Sequence, residues 1–203
     1  MSNKSNNKIL ITGSEGFIGG KLLEKLKNSK YKVVKGILKS KKNHINLVSK
    51  YNLDNFETVI HLGASSKRNN SLNQLIYKNI ILTEKLVNKI SENKYSKLIF
   101  ISANSIISKN ANSKISFSST PSPNDNYSLS KYICEKIIEN NLPKNRYCII
   151  RLPGVYSVEK KINFFLDKIF DKAKKNKEIY LENSNGLFNN LILVDDVNDF
   201  IYK

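Results

Sequence analysis

The segment Lys8-Ile-Leu-Ile-Thr-Gly-Ser-Glu-Gly-Phe-Ile-Gly19 constrains this chain more than any other. An apolar, β-branched run reads as a buried strand, and an amphipathic stretch after it reads as a helix. Between them stand three glycines at a spacing of three. In such a turn Gly13 permits a tight bend, Gly16 lets a pyrophosphate approach the backbone, and Gly19 lets helix and strand pack closely. The helix N-terminus adds free N–H groups and a partial positive charge. Strand before and helix after are the context that gives this glycine pattern its meaning.

The rest of the chain keeps the same rhythm. Short runs rich in Ile, Val and Leu predict strands over 8–12, 32–38, 58–62, 97–102 and 147–151. Nearly all-apolar strands are those covered on both faces. Longer amphipathic stretches predict helices over 17–28, 72–91, 126–140 and 163–175. In the second of these, Leu75, Ile76, Ile80, Leu82, Leu86, Val87 and Ile90 recur at helical spacing. The alternation implies an α/β fold with a doubly wound, Rossmann-like parallel sheet. Residues 104–126, rich in Ser, Asn and Pro, break the rhythm and read as a functional loop between a strand end and a helix.

A second pattern, Tyr127-Ser-Leu-Ser-Lys131, lies inside the helix that continues through Ile133, Ile137 and Ile138. Four-residue spacing sets a phenol and an ammonium on one helix face. A nearby ammonium favours the phenolate and brings a tyrosine toward proton transfer.

Charge bears on partners. The formal net charge is +17, which attracts polyanions. Yet of 34 basic residues only Arg68, Arg146 and Arg151 are arginine, the residue that base-edge readout and phosphate clamps favour. The lysines are spread through every segment, so no specific nucleic-acid partner is expected. No apolar run reaches the roughly 20 residues of a membrane helix, and the polar start MSNKSNNKIL shows no apolar signal core. Cys134 and Cys148 lack zinc spacing and disulfide density, so reduced thiols, a cytoplasmic setting and no metal are expected. His61, in an apolar strand, reads as a core histidine, and Asp195 or Asp196 as the cap of a helix over 197–202. Both cysteines read as small core residues.

Together these residues resemble the NAD-dependent epimerase/dehydratase family of sugar-nucleotide enzymes, within the extended short-chain dehydrogenase/reductases. Thr12-Gly-Ser-Glu-Gly-Phe-Ile-Gly19 is similar to its TGxxGFIG loop, and Val59-Ile-His-Leu-Gly-Ala64 to its VIHLAA strand end. Asn79 falls where a helical Asn stands, in Asn-x-x-x-Thr83. Tyr127-Ser-Leu-Ser-Lys131 with Glu135 is similar to YxxSKxxxE, Arg151-Leu-Pro-Gly-Val-Tyr156 to RxxxVYG, and Leu193-Val-Asp-Asp-Val197 to the late VDDV element. The matches occur in the family's order.

The resemblance implies an NAD(P)-dependent epimerase or reductase acting on a nucleotide-activated sugar. Tyr127 would be the general acid/base and Lys131 its activator and ribose ligand. Gly13, Gly16, Phe17, Ile18 and Gly19 would hold the pyrophosphate; Leu62, Gly63, Ala64 and Asn79 would complete the cofactor site. The family's hydroxyl beside the reacting oxygen falls at Ala103, so Ser105, ahead of Ser102, is the expected substitute. Ala103-Asn-Ser105 also lacks the carboxylates of the dehydratase branch, which disfavours water elimination. After the second strand no acidic residue stands ready for the NAD ribose; Lys39 and the lysines to Lys42 favour NADP slightly over NAD. Asn46 and Leu47 stand where the family reaches the adenine. Homodimers through the helices over 72–91 and 126–140 are a further implication.

Members of the family run well beyond their VDDV element, whereas this sequence stops at Lys203. The expected organisation is one NAD(P)-binding Rossmann-like domain over 1–203, with 157–203 the start of an incomplete substrate-binding region. Ala103 and the short C-terminal part keep a second reading open, that of a non-catalytic dinucleotide-binding or regulatory protein.

Overall fold

The computed structural model describes residues 7–36, 53–65, 71–93, 95–107, 115–116, 118–159, 165–180 and 191–203. The chain divides into two compact units, Met1–Leu152 and Pro153–Lys203.

The first unit holds a five-stranded sheet in the order β2-β1-β3-β4-β5, every pairing parallel. Its strands are β1 (Lys8–Thr12), β2 (Lys32–Gly36), β3 (Thr58–His61), β4 (Lys97–Ala103) and β5 (Tyr147–Leu152). Between them run α1 (Phe17–Leu26), α2 (Leu72–Leu75), a π-helical stretch (Ile76–Ile81), α3 (Leu82–Glu92) and α4 (Asn126–Asn141). The doubly wound parallel sheet is the one expected, and its winding reverses at β1, between β2 and β3. Open α/β sheets bind ligands at such a switch point, outside the carboxyl ends of the strands.

Alternation along the strands builds the two faces. Leu10, Val59, Leu98 and Phe100 form one core with Leu82, Leu86, Val87 and Ile90 of α3 and Cys134 and Ile138 of α4. Ile9 and Ile11, on the other face of β1, are also buried, as are Leu22 and Leu26 of α1. The register brings Thr12 opposite both Gly36 and His61, and Ser102 opposite Arg151.

The second unit pairs β6 (Gly154–Tyr156) in parallel with β7 (Leu191–Leu193) and adds α5 (Phe165–Lys174) and α6 (Val194–Tyr202). Two expectations are corrected by the structure. The last helix begins at Val194 with Leu193 as its N-cap and no side-chain cap bond, so Asp195 and Asp196 sit in its first turn instead. There they complement the helix dipole without capping it. Cys148 is exposed, because β5 is the edge of the sheet and only alternate residues of it turn toward α4.

Candidate functional site

The glycine turn leaves the end of β1 with Gly13 at φ +72°, a left-handed conformation natural to glycine. A Cβ there would lie 2.6 Å from the Gly63 nitrogen and 2.7 Å from the Leu62 carbonyl carbon. A Cβ on Gly19 would overlap the Gly13 carbonyl oxygen and lie 2.8 Å from Ser14 Cα. These two glycines thus serve close backbone packing, of β3's end against the turn and of α1 against the turn. Gly16 is different: it is exposed, and its added Cβ would meet only the Gly13 oxygen at 3.1 Å. It is the N-cap of α1 and offers no side-chain cap, so the first-turn N–H groups of Phe17, Ile18 and Gly19 are not capped from it.

A buried polar chain ties this turn to the neighbouring elements. His61 Nδ1 lies 2.5 Å from the Thr12 hydroxyl, and Nε2 lies 3.0 Å from the Thr83 hydroxyl on α3. The Gly63 N–H donates to Thr12 Oγ1 at 3.3 Å, so both ring nitrogens and the turn after β3 meet on one buried network. Burial pushes His61 down to about 3, with the Lys131 charge adding to it. His61 is therefore the satisfied, neutral core histidine expected.

Asn79, in the π-helical stretch, is buried. It accepts from the Ser65 N–H at 2.7 Å, and its amide donates to the Ser65 carbonyl at 3.2 Å and the Ser130 hydroxyl at 3.0 Å. Ser130 in turn donates to the Tyr127 carbonyl at 2.7 Å. Both Asn79 donors are thus spent on protein, holding the chain beyond Leu62-Gly63-Ala64 to α4.

The start of α4 is locked by a capping box. Asp125 accepts from the Ser128 N–H at 2.7 Å while Ser128 Oγ accepts from the Asp125 N–H at 3.2 Å. Asp-x-x-Ser ahead of an apolar pattern is a helix-start signal that sequence reading could have used. One turn inside lies Lys131, buried at 3% exposure with its ammonium over the Phe100 ring, 4.1 Å from the centroid. Burial pulls Lys131 down to about 8, partly opposed by Cys134 and Glu135. Tyr127 is half-buried.

Glu135, 1% exposed, is gripped by Arg151, whose Nη2 donates to Oε2 at 2.7 Å and whose Nε donates to Oε1 at 3.0 Å. The motif members Glu135 and Arg151 were read separately from the sequence; their pairing was not. A cavity of about 890 Å³ lined by Asn104, Glu135, Tyr147, Ile149 and Arg151, among others, borders this pair and includes neither Tyr127 nor the glycine turn.

Ser102 and Ser105 lie at the end of β4 and in the short turn after it, each with a buried hydroxyl that has no hydrogen-bond partner among the described residues. Ser14, inside the glycine turn, has the same property. Lys39, Asn46 and Leu47 fall outside the described residues, as does part of the 104–126 loop.

A parallel sheet whose glycine turn and helix start meet at the switch point defines a Rossmann-like α/β protein. The chain belongs to the NAD dependent epimerase/dehydratase family, whose model matches residues 9–203. A relative from Aggregatibacter actinomycetemcomitans, GDP-6-deoxy-D-talose 4-dehydrogenase, is 29% identical over 204 residues, 97% of this chain and 69% of that protein. A relative from Methanocaldococcus jannaschii with the provisional name UDP-glucose 4-epimerase is 28% identical over 190 residues, 79% of this chain. The chain spans 62% of the length of that second relative. Among solved structures, UDP-glucuronic acid 4-epimerase from Bacillus cereus in complex with NAD superposes with a TM-score of 0.80 at 24% identity, over 96% of this chain and 72% of the other. The dTDP-4-dehydrorhamnose reductase from Bacillus anthracis in complex with NADP gives 0.81 at 22%, over 99% and 71%. These likenesses establish the same fold.

Proposed function

We propose that this chain is the dinucleotide-binding, proton-transferring part of an NAD(P)-dependent epimerase or reductase acting on a nucleotide-activated sugar. The observation that carries the reading is the buried Lys131 ammonium, one turn from Tyr127 on α4 and seated over Phe100 of β4. An ammonium held in so dry a place acts strongly on a phenol sharing its helix face.

The residues present fit a dinucleotide. The first turn of α1, with no side-chain cap from Gly16, and the open face of Gly16 suit a pyrophosphate, and the Ser14 hydroxyl, without a partner among the described residues, is a spare polar group in the same turn. When bound, the nicotinamide would supply or accept the hydride at a sugar carbon. Lys131 would bond a ribose hydroxyl and hold Tyr127 toward phenolate. Tyr127 would take the proton from the sugar hydroxyl, or return it. No acidic residue stands at 102–105, so dehydration is not proposed. The preference for NADP is proposed from Lys39 and the lysines after it, and the cytoplasm from the two free thiols.

For the hydroxyl that steadies the reacting oxygen, geometry supports Ser102 over Ser105. Lys131 seats over Phe100; Tyr127 is four helical residues, about 6 Å, nearer the start of α4. The next residue of β4 on the Phe100 face is Ser102, about 6.6 Å further toward the same edge of the sheet. Helix and strand run oppositely in such a crossover, so the two displacements match.

Calorimetric titration of the chain with NADP and NAD, followed by turnover of UDP-, GDP- and dTDP-sugars by wild type and Tyr127→Phe, tests the reading. Binding with turnover, and an activity loss of about a hundredfold or more in the variant, is expected. Binding without any turnover favours the regulatory reading that Ala103 raises.

A further inference from the structure

We propose that Arg151 is a positioning residue for the Tyr127–Lys131 pair: by bonding both carboxylate oxygens of Glu135, it keeps that carboxylate from pairing directly with Lys131 and leaves the ammonium on the Phe100 face, one turn from Tyr127. The inference rests on the proton-transfer reading above.

Glu135 stands one turn after Lys131 on α4, the spacing at which oppositely charged helix residues join. Both are buried, which makes their attraction stronger than on a surface. The structure nonetheless gives both carboxylate oxygens to a guanidinium, and Glu135 acts to raise Lys131 only by its through-space charge. Arg151, carried by β5 opposite Ser102, holds the carboxylate through both Nε and Nη2, while the Lys131 ammonium rests on the Phe100 ring. A guanidinium fork can satisfy two oxygens at once; an ammonium cannot.

The other groups around Lys131 leave this competition undisturbed. Cys134 on α4 is pushed up by burial and stays a thiol, and His61 on β3 is neutral. Tyr127 is the remaining titratable group on the Lys131 face of α4, and Thr83 on α3 is uncharged. On the Arg151 side, Tyr132 and Glu139 add weakly to the field at the guanidinium, and Glu139 pairs with exposed Lys136 at 2.7 Å.

Without the guanidinium, a carboxylate at 1% exposure is left buried and unpaired, a costly state. Lys131 is the cation one turn away. Their pairing would raise the Lys131 pKa, draw the ammonium from Tyr127, and weaken its hold on the phenolate.

The test compares wild type, R151Q, E135Q and E135Q/R151Q. Two readouts are used: carbon NMR titration of labelled lysines, with the Lys131 signal assigned through K131R, and the pH dependence of kcat with NADP or NAD. R151Q should raise the Lys131 pKa by about one to two units and move the acid limb of kcat upward. E135Q/R151Q, which removes the carboxylate as well, should return both to wild type or below. E135Q alone should move Lys131 less than R151Q does. R151K, if R151Q does not fold, should shift Lys131 in the same direction, since a point charge cannot hold both oxygens. An unmoved Lys131 in R151Q or R151K, or a double variant that fails to revert it, overturns the proposal. If R151Q moves Lys131 while Tyr127→Phe stays fully active, the competition for Glu135 stands and the proton-transfer reading falls.

Discussion

His61 Nδ1 and the Thr12 hydroxyl lie 2.5 Å apart, fully buried, and this short bond joins the ends of two strands across the switch point of the sheet. Thr83 completes the chain from α3, and the Gly63 N–H from the turn after β3. The imidazole thus braces the backbone contact between Gly13 and Gly63 on which the nucleotide turn depends.

Its protonation is linked to folding. The folded pKa is about 3 and the unfolded value is 6.5, so between these limits the unfolded chain binds a proton that the native state refuses. Stability is therefore full above pH 6.5 and falls as pH drops toward 3, by about 1.4 kcal/mol per unit at most. From pH 6.5 to 5 the loss from this group reaches about 2 kcal/mol. Urea unfolding of His61→Asn across that range should show a shallower slope than wild type. Equal slopes would mean that His61 does not titrate with unfolding.

Gly13→Ala should be severe for two independent reasons. An L side chain at φ +72° costs about 1–2 kcal/mol, and the added carbon meets Gly63 backbone at 2.6 Å. Backbone on both sides cannot yield as a flexible side chain would. Gly20→Ala is the control, because among the described residues nothing outside its own helical turn lies within 4 Å of a Cβ there and alanine favours a helix. Thermal melts should fall several degrees for the first and hold or rise for the second.

How much of this was legible beforehand follows from range in sequence. The strands from Lys8 and Tyr147 could be read because a strand covered on both faces writes a continuous apolar run. Tyr127 and Lys131 could be read because helical spacing is local. The partners of His61 could not: Thr12 is 49 residues away and Thr83 is 22. Arg151 and Glu135 were visible as motif members, but only the β4–β5 register and the seat of α4 bring them together. Three-residue strands such as Gly154–Tyr156 and Leu191–Leu193 are too short to show a period. Cys148 misled because an edge strand and a central one carry similar apolar runs, and only the pairing order separates them.

Asn79→Ala should separate positioning from stability. The change removes the amide that fixes Ser65 and Ser130, and leaving such groups unmade costs about 1–3 kcal/mol. Because Ser65 follows Leu62-Gly63-Ala64, freedom gained there loosens the proposed cofactor site directly. Calorimetry should show weaker NADP or NAD binding at temperatures where circular dichroism still reports a folded chain. Affinity unchanged from wild type would confine Asn79 to packing.

Lys131→Met should stabilise the protein while abolishing its activity. The folded pKa of about 8 against 10.5 unfolded means that below pH 8 the native state carries a buried charge at a cost approaching about 3 kcal/mol. The sign follows from proton binding. Between pH 8 and 10.5 the unfolded chain holds the extra proton, so wild-type stability from this group rises with pH over that window and is flat below it. Methionine matches the lysine stem, rests on the same Phe100 face and carries no charge. The variant should therefore gain about 1–3 kcal/mol at pH 7, and the gain should shrink as pH climbs through 8 toward 10. Loss of the cation–π contact with Phe100 offsets part of it. Chemical denaturation of wild type and variant at pH 7 and pH 9.5 checks both statements. A variant less stable at pH 7 would mean that the buried ammonium contributes to the fold, and that Lys131 is not a site of strain retained for chemistry.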